Sequence, residues 1–477
     1  VKEGPGGLLL TAALDRFTYG TKKDRYQSYA CNIEVNGGLL KFNQDSSAPS
    51  QYHTFGKVTV AEGATWCPPF GGKITIKSGL VGGGTVVNEG TGYQYVNMGG
   101  GTAAEPLEFS GAMLGCLSFS FLSKCYINLT GTNSTGGGTF DVTGNHVADG
   151  GRIGIRKFGK IGQPSSIGVQ GSNINLASRN GYWLTSLRRP EDPIDETDKN
   201  FLLFTFANNT TGSAVIDGGA VGGVKLIGTI GEHPSERCGQ KRIVLTGSNT
   251  EECVQSSVFA RKYKDAYPTG GYTFHLTKRG TGTWELSGKA QNSTTEGAFT
   301  VEEGTLRYDS LAEVGENSSL GRASMLMEAK IGNEEDLEKI PFAMILGGPE
   351  TVGTLEYVGN ADVTLTSRTS VVTGQGGTLA NSGGGALRYF AGVRPLGTET
   401  NAFGVGGIST AGNAVCNLSD GDGQLSLVKE GPGSWTLEGP NDFSGALVVK
   451  EGTLYVRDQT RYSWVRLTLK GLPGKVR

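Results

Sequence analysis

The acidic residues whose type suits catalysis or metal binding fall in two short clusters. Asp420 and Asp422 lie in the segment SDGDG, where two carboxylates could share a calcium ion or a sugar, and Glu334, Glu335 and Asp336 form the other cluster. Glycoside hydrolysis uses two carboxyl groups about 5 to 10 Å apart, so both clusters qualify by residue type. Acids between glycines are typical of turns, however, and a run of acids is typical of a solvated surface. The sequence therefore assigns no catalytic residue and leaves the ligand-binding residues open.

The histidines and cysteines lack the spacing of a metal site or a catalytic triad. Structural zinc sites draw ligands from closely spaced Cys and His, and this chain has no CxxC pair, so we predict no metal and no cofactor. Cys116 with Cys125, and Cys238 with Cys253, are close enough to close small disulfide loops in an oxidising compartment; buried free thiols are the alternative. The histidines are His53, His146, His233 and His275, and the remaining cysteines are Cys31, Cys67 and Cys416.

Composition limits the function classes further. The 477 residues include 78 glycines, while hydrophobic residues reach 36% and charged residues 18%. So much glycine predicts many tight turns, and recurring apolar strand-like pieces argue against disorder. The net charge of −2 provides no basic field for nucleic acid, and no apolar run is long enough to insert in a membrane. We therefore expect many short strands and neither of these two partners.

One glycine-punctuated motif recurs along the chain. Residues 275–308 align with residues 426–456, with three extra residues in the first copy, and residues 1–66 hold a partial copy in VKEGPGGLLL, EVNGGLLKF and VTVAEGATW. The matching positions are Gly280, Gly282, Trp284, Leu286, Gly288, Gly304 and Leu306 in one copy, and Gly431, Gly433, Trp435, Leu437, Gly439, Gly452 and Leu454 in the other.

Alternation within the motif predicts strands with one buried face. In Thr283–Leu286 the apolar residues alternate with polar ones, so Trp284 should point inward, as should Trp435. Either indole could instead stack on a sugar ring, but an inward position favours the core. A unit of about 23 residues between equivalent glycines matches one coil of a solenoid, in which stacking buries what a single coil cannot. The fold class predicted is all-β, a right-handed parallel β-helix with loop insertions.

The motif LTKxGxGTWxLxG, followed by a polar stretch and VxxGTL, resembles the autotransporter-associated β-strand repeat of bacterial surface proteins. The resemblance is good at 275–308 and 426–456 and partial at 1–66. It implies a β-helical passenger displayed outside the cell, extracellular or on the bacterial surface and associated with the outer membrane.

The domain organisation follows from the repeats and their interruptions. We predict a β-helix repeat region over residues 1–458, with inserted loops at 188–200 and 232–270, where charged residues cluster with proline. Residues 323–340 are the one stretch that suggests a helix, and residues 459–477 should begin a following β-domain or mark a truncated end.

Two functions remain open at this point. The first is a non-catalytic structural or adhesive passenger that acts as a monomer and presents loops to a host or matrix protein or a glycan. The alternative is a polysaccharide lyase or glycoside hydrolase on the same scaffold. The sequons at Asn128, Asn292 and Asn417 do not by themselves indicate glycosylation, since asparagine, serine and threonine side chains can also form internal hydrogen-bonded ladders in solenoids.

Overall fold

The computed structural model of the chain consists of two compact units, Val1–Gly239 and Gln240–Arg477. The residues that it describes are 2–10, 26–28, 32–42, 51–69, 72–90, 92–121, 124–143, 151–169, 173–177, 182–204, 212–233, 241–260, 274–295, 297–322, 329–330, 337–338, 344–457, 467–469 and 475–476.

The first unit contains short strands of two to six residues. They are β1 Gly7–Leu10, β2 Tyr26–Ser28, β3 Ile33–Val35, β4 Leu39–Phe42, β5 Gln51–Phe55, β6 Val58–Val60, β7 Thr65–Cys67, β8 Gly72–Ile76, β9 Leu80–Val81, β10 Thr85–Asn88, β11 Gln94–Met98, β12 Leu107–Phe109, β13 Ala112–Gly115, β14 Leu117–Phe121, β15 Tyr126–Leu129, β16 Phe140–Thr143, β17 Arg152–Ile155, β18 Asn173–Ala177, β19 Tyr182–Ser186, β20 Asp195–Thr197, β21 Asn200–Phe204, β22 Gly212–Asp217, β23 Val224–Leu226 and β24 Ile230–Glu232.

The second unit has the same character and includes a 3₁₀ turn at Gly288–Asn292. Its strands are β25 Lys241–Thr246, β26 Cys253–Gln255, β27 Phe259–Ala260, β28 Phe274–Lys278, β29 Thr283–Leu286, β30 Phe299–Val301, β31 Gly304–Tyr308, β32 Ala329–Lys330, β33 Leu337–Glu338, β34 Met344–Leu346, β35 Gly353–Tyr357, β36 Val363–Leu365, β37 Ser370–Val372, β38 Gly377–Asn381, β39 Leu387–Tyr389, β40 Val393–Pro395, β41 Asn401–Gly406, β42 Asn413–Val415, β43 Leu425–Lys429, β44 Ser434–Leu437, β45 Leu447–Val449, β46 Thr453–Val456, β47 Leu467–Leu469 and β48 Lys475–Val476.

Strands from successive coils pair in parallel and in register. In the second unit one ladder runs β29, β31, β35, β38, β41, and it places Leu306 beside Trp284 on one side and beside Leu355 on the other. In the first unit one ladder runs β5, β8, β11, β14, β16, β18, β21 and another runs β12, β15, β17, β19, β22. Parallel pairing of every third or second strand is the geometry of stacked coils. The predicted all-β parallel β-helix is confirmed.

The repeat tryptophans lie in the core. Trp284 and Trp435 are both 0% exposed, and their indole N–H groups donate to the carbonyl oxygens of Thr246 at 2.9 Å and of Gly406 at 2.8 Å. A buried indole needs such a partner. The tryptophans of the motif therefore build the coil, as their alternation predicts, and are not available to stack on a sugar.

Polar ladders also run through the core, although through other residues than the sequons. Tyr308 and Tyr357 stack with ring centroids 5.4 Å apart, and the Asn381 side chain donates to that of Asn413. Asn417, by contrast, is exposed at the surface with a φ of 57°. Internal ladders thus form where an asparagine occupies an inward strand position.

Both segments that we predict as inserted loops contain strands. The segment 188–200 includes strand β20, which pairs in parallel with β23, so this predicted loop partly belongs to the coil. Within 232–270 the described residues form β25, β26 and β27, while 234–240 and 261–270 lie outside them. The final strands β47 and β48 pair in parallel with β45 and β46.

The predicted helix at 323–340 is wrong for the residues that the structure describes there. They form β32 and β33, which pair antiparallel as a two-rung hairpin. Gly332 and the charged run between these strands weaken the helical pattern, as glycine in a helix interior costs about 1 kcal/mol relative to alanine.

Replacing Trp435 with alanine should destabilise the second unit by about 3 to 5 kcal/mol, because a fully buried indole leaves a cavity and an unpaired carbonyl. The measurement is urea unfolding followed by circular dichroism. Tyr455→Ala is the matched control, since Tyr455 lies on the adjacent strand and is 41% exposed. Equal losses in the two variants would contradict the coil-building role of Trp435.

Candidate functional site

Both oxygens of the Asp420 carboxylate accept hydrogen bonds from backbone N–H groups. Its two oxygens accept the N–H groups of Leu425 at 2.7 Å and Ser444 at 3.0 Å, so this residue fixes a turn between neighbouring coils. Asp422 is exposed, and Glu334, Glu335 and Asp336 lie outside the described residues. Within the part of the chain that the structure describes, no group of three His, Cys, Asp or Glu side chains has the arrangement of a metal site.

Burial affects two of the described histidines. His53 lies in the first unit and His275 in the second, and burial lowers the pKa of both, that of His275 to about 4, with a smaller contribution from Arg242. His146 lies outside the described residues, and His233 follows strand β24. Burial therefore favours the neutral imidazole at both His53 and His275.

One of the two candidate disulfides does not form, and the alternative of free thiols holds for that pair. Cys116 and Cys125 are both free thiols, and burial raises the pKa of Cys125 to about 12. A thiol with so high a pKa is protonated at neutral pH and is a poor nucleophile. Sequence separation alone cannot bring two Cβ atoms to bonding distance. The other pair is not tested, since Cys238 lies outside the described residues.

The repeat carries a buried lysine that the sequence analysis missed. Lys278 is 0% exposed, and its Nζ donates to the carbonyl oxygens of Arg279 at 2.7 Å, Gly280 at 2.5 Å and Glu303 at 3.0 Å. The first two carbonyls belong to the turn after β28, and the third belongs to the turn of the next coil. The ammonium group thus joins two successive turns of the solenoid, with three donors matched to three acceptors.

The same lysine cage recurs at the equivalent place in the other copies. Lys429 Nζ donates to the carbonyl oxygens of the two residues that follow it and of Glu451, at 2.5, 2.6 and 3.1 Å. In the partial copy, Lys2 Nζ lies 3.3 Å from the carbonyl oxygen of Gly37 as well as near its own turn. Burial lowers the pKa of both Lys278 and Lys429 to about 8. The shared sequence signal is a lysine two residues before a glycine.

Four charged side chains form a cluster on the outer face of the second unit. Arg307 donates to Glu252 at 3.0 Å and to Glu356 at 2.8 Å, and it lies in register with Glu285 on β29. Burial, reinforced by the charge of Glu285, raises the pKa of Glu252. A carboxyl with a raised pKa beside an arginine is one element of acid catalysis. Because Arg307 pairs with two of the three acids, the cluster equally forms an ion-pair ladder across coils.

Comparison with known protein families identifies a repeat in two segments of this chain. Residues 276–307 and 427–456 match the passenger-associated transport repeat. Each of these two segments has a buried tryptophan that donates to a backbone carbonyl and a buried lysine that joins two turns. The chain therefore contains two copies of an autotransporter passenger repeat.

A curated relative points the same way. The chain is 24% identical over 448 residues to the adhesin BmaC autotransporter of Brucella suis biovar 1 (strain 1330), an alignment that covers 70% of this chain and 8% of that protein. This chain therefore spans a small part of its relative's length. No solved structure gives a significant match. The repeats and the relative together support an extracellular or cell-surface location associated with the outer membrane. In the described residues, no helix has the length and apolar character required to cross a bilayer.

Gly304→Ala should destabilise the lysine cage strongly. Gly304 has a φ of +67°, and an added Cβ would lie 2.3 Å from the Gly280 oxygen and 2.8 Å from Lys278 Nζ. Gly315→Ala is the control, because Gly315 has a φ of +93° but no atom within 4 Å of an added Cβ. We expect about 1 kcal/mol for the control, from the backbone alone, and at least about 3 kcal/mol for Gly304→Ala in urea unfolding. Similar losses would show that the cage does not depend on this close approach.

Acid should weaken the second unit through His275. The pKa of about 4 in the folded chain lies below that of an unfolded histidine, so the unfolded chain binds the proton first and stability falls as the pH drops from about 6.5 to 4. The expected loss is about 2 to 3 kcal/mol, measured as the urea midpoint at pH 7.0, 5.5 and 4.5. His275→Gln should reduce this dependence, and an unchanged pH profile in the variant would argue against the assignment.

Proposed function

We propose that this chain is the adhesive, surface-displayed part of an autotransporter passenger and that it presents its outer faces to a host protein, a matrix protein or a glycan. The observation that carries the proposal is that the characteristic residues of the repeat build the coils and the turns between them. The tryptophans of the motif lie in the core, the lysines bind the turns, and the glycines form those turns. Contacts with a partner are then left to the outward positions, which vary from coil to coil.

Two further observations support this function. The relative of similar sequence is itself named an adhesin and an autotransporter. A rigid scaffold with varied outward side chains is suited to recognition, because binding residues are held in place at little entropic cost. We propose no catalytic step for this chain in its adhesive role.

The proposal predicts that beads coated with the purified chain adhere to cultured mammalian cells or to surfaces coated with matrix protein. Soluble folded chain should compete, because it offers the same outer faces. Gly304→Val, which we expect to disrupt the coil through a clash and an unfavourable φ, should compete poorly. Circular dichroism establishes whether each protein is folded. Absence of adhesion to all cell and matrix surfaces at high bead density would overturn the proposal.

A second candidate function is polysaccharide cleavage, and one observation favours it. Glu252 has a raised pKa and lies beside Arg307 on an outer face that spans neighbouring coils. If this carboxyl is a general acid, Glu252→Gln should abolish release of reducing sugar from polysaccharide, while Glu350→Gln, at an exposed position of the same unit, should not. No activity in the parent protein against a panel of polysaccharides would reject this candidate.

A further inference from the structure

One tryptophan departs from the pattern of the core. Trp66, Trp284 and Trp435 are 0% exposed, whereas Trp183 on β19 is 42% exposed. Its strand neighbour Leu184 is 0% exposed and occupies the inward position that the solenoid core requires. The indole at position 183 therefore lies outside the core and leaves 42% of its residue area exposed, and exposing apolar area costs free energy. Exposed aromatic side chains of this kind are enriched at binding surfaces.

Register places a cation and a second aromatic ring beside this indole. Arg152 on β17 pairs with Trp183 on β19 and with Tyr126 on β15, so the three side chains form one row across three successive coils. Neighbouring parallel strands are about 4.8 Å apart, so the row extends about 10 Å. Arg152 and Trp183 are exposed and Tyr126 is half-buried. The row is an outward platform with an aromatic residue on each side of a guanidinium group.

A sheltered network holds the guanidinium in place. Arg152 Nε donates to Thr185 Oγ1 at 2.9 Å, and the Thr185 hydroxyl donates to Asp217 Oδ2 at 3.1 Å. Asp217 Oδ1 accepts the backbone N–H of Gly219 at 2.8 Å, which fixes the carboxylate. Thr185 is 1% exposed and the Asp217 side chain 9%, whereas the Arg152 side chain is 50% exposed. The anchoring atoms are therefore buried while the positive group faces solvent.

From this arrangement we infer that the platform of Tyr126, Arg152 and Trp183 binds a carboxylated polysaccharide. The indole of Trp183 packs against the apolar face of a sugar ring, and Arg152 pairs with the carboxylate of a uronic or related acidic sugar. Asp217 and Thr185 are positioning residues that pre-order Arg152. The inference rests on the proposed adhesive function and names the class of partner that this face recognises.

The charges around the platform favour this ligand over other anions. Asp217 lies 3.7 Å from Arg152 Nη2, so it orients the guanidinium without a close ion pair that would use all of its donors. Arg152 supplies one exposed cation to this row on a chain of net charge −2, whereas binding to a phosphate backbone takes several cations in a row. One carboxylate per sugar unit, with an apolar ring face beside it, matches one arginine next to one indole.

The test measures the affinity of the full chain for defined oligosaccharides by isothermal titration calorimetry. The probes are a hyaluronan decasaccharide and an oligogalacturonate, which carry carboxylates, and cellohexaose, which is neutral. We expect both acidic probes to bind, and cellohexaose to bind about tenfold more weakly or less. Binding of the acidic probes should weaken as salt increases, because the ion pair is at the surface.

Variants separate the roles of the side chains. Trp183→Ala should weaken binding about tenfold, while Trp183→Phe retains most of it. Arg152→Gln should remove the preference for acidic probes, and Thr185→Val should weaken binding a few-fold by releasing Arg152. Tyr93→Ala is the matched control, because Tyr93 is a more exposed aromatic residue of the same unit, at 56%, outside the row. Circular dichroism and thermal unfolding check that each variant is folded.

The outcomes distinguish this inference from the proposed function. Binding of acidic probes that is lost in Trp183→Ala and kept in Tyr93→Ala supports the platform. Equal binding of cellohexaose, unchanged binding in Trp183→Ala, or no binding of any acidic probe overturns it. If the coated beads still adhere to cells in that last case, the adhesive function stands and a different face carries it.

Discussion

The structure depends on one constraint, which is that no coil can cover its own inward side chains. Each inward residue is covered by the residue in register with it on the strands before and after, as Leu306 is covered by Trp284 and Leu355. In-register parallel pairing is therefore a condition for burial as well as a result of it, since a slip by one residue would turn the whole apolar row outward. The turns must repeat with the strands, and this is why glycines with positive φ and caged lysines recur at equivalent places.

The parts of the fold that follow from local alternation were predictable from the sequence. Trp284 and Trp435 alternate with polar residues, and the structure buries both. The caged lysines were not predicted, because a lysine is ordinarily a solvated residue and three carbonyl acceptors become visible only when two turns of successive coils are in contact. The same reason applies to Arg152. Arg152 lies beside Tyr126 and Trp183 in the sheet, although these residues are 26 and 31 positions away in the sequence. The register between coils is set by the lengths of turns and loops, which local sequence patterns do not reveal.

Predictions of interruptions were the least reliable. Charge and proline at 188–200 suggested an exposed loop, yet Asp195 and Lys199 use their charges internally. Asp195 accepts the N–H groups of Phe158 and Gly159 at 2.6 and 3.0 Å, and Lys199 donates to the carbonyl oxygens of the same two residues at 3.0 and 2.7 Å. Asp195 and Lys199 thus hold the segment that contains β20 against the backbone at Phe158 and Gly159. In a solenoid rich in glycine and poor in apolar residues, buried charge satisfied by backbone groups takes over part of the role of a hydrophobic contact.

The lysine cages have a consequence for the survival of such a protein outside a cell. Trypsin-like proteases must draw a lysine side chain into a deep pocket and straighten the chain on both sides of it. Lys278 and Lys429 hold their amino groups against three carbonyls within stacked turns, and neither can enter such a pocket until two coils separate. These two lysines, which the sequence shows as cleavage sites, are therefore withheld from digestion by the same contacts that join the turns.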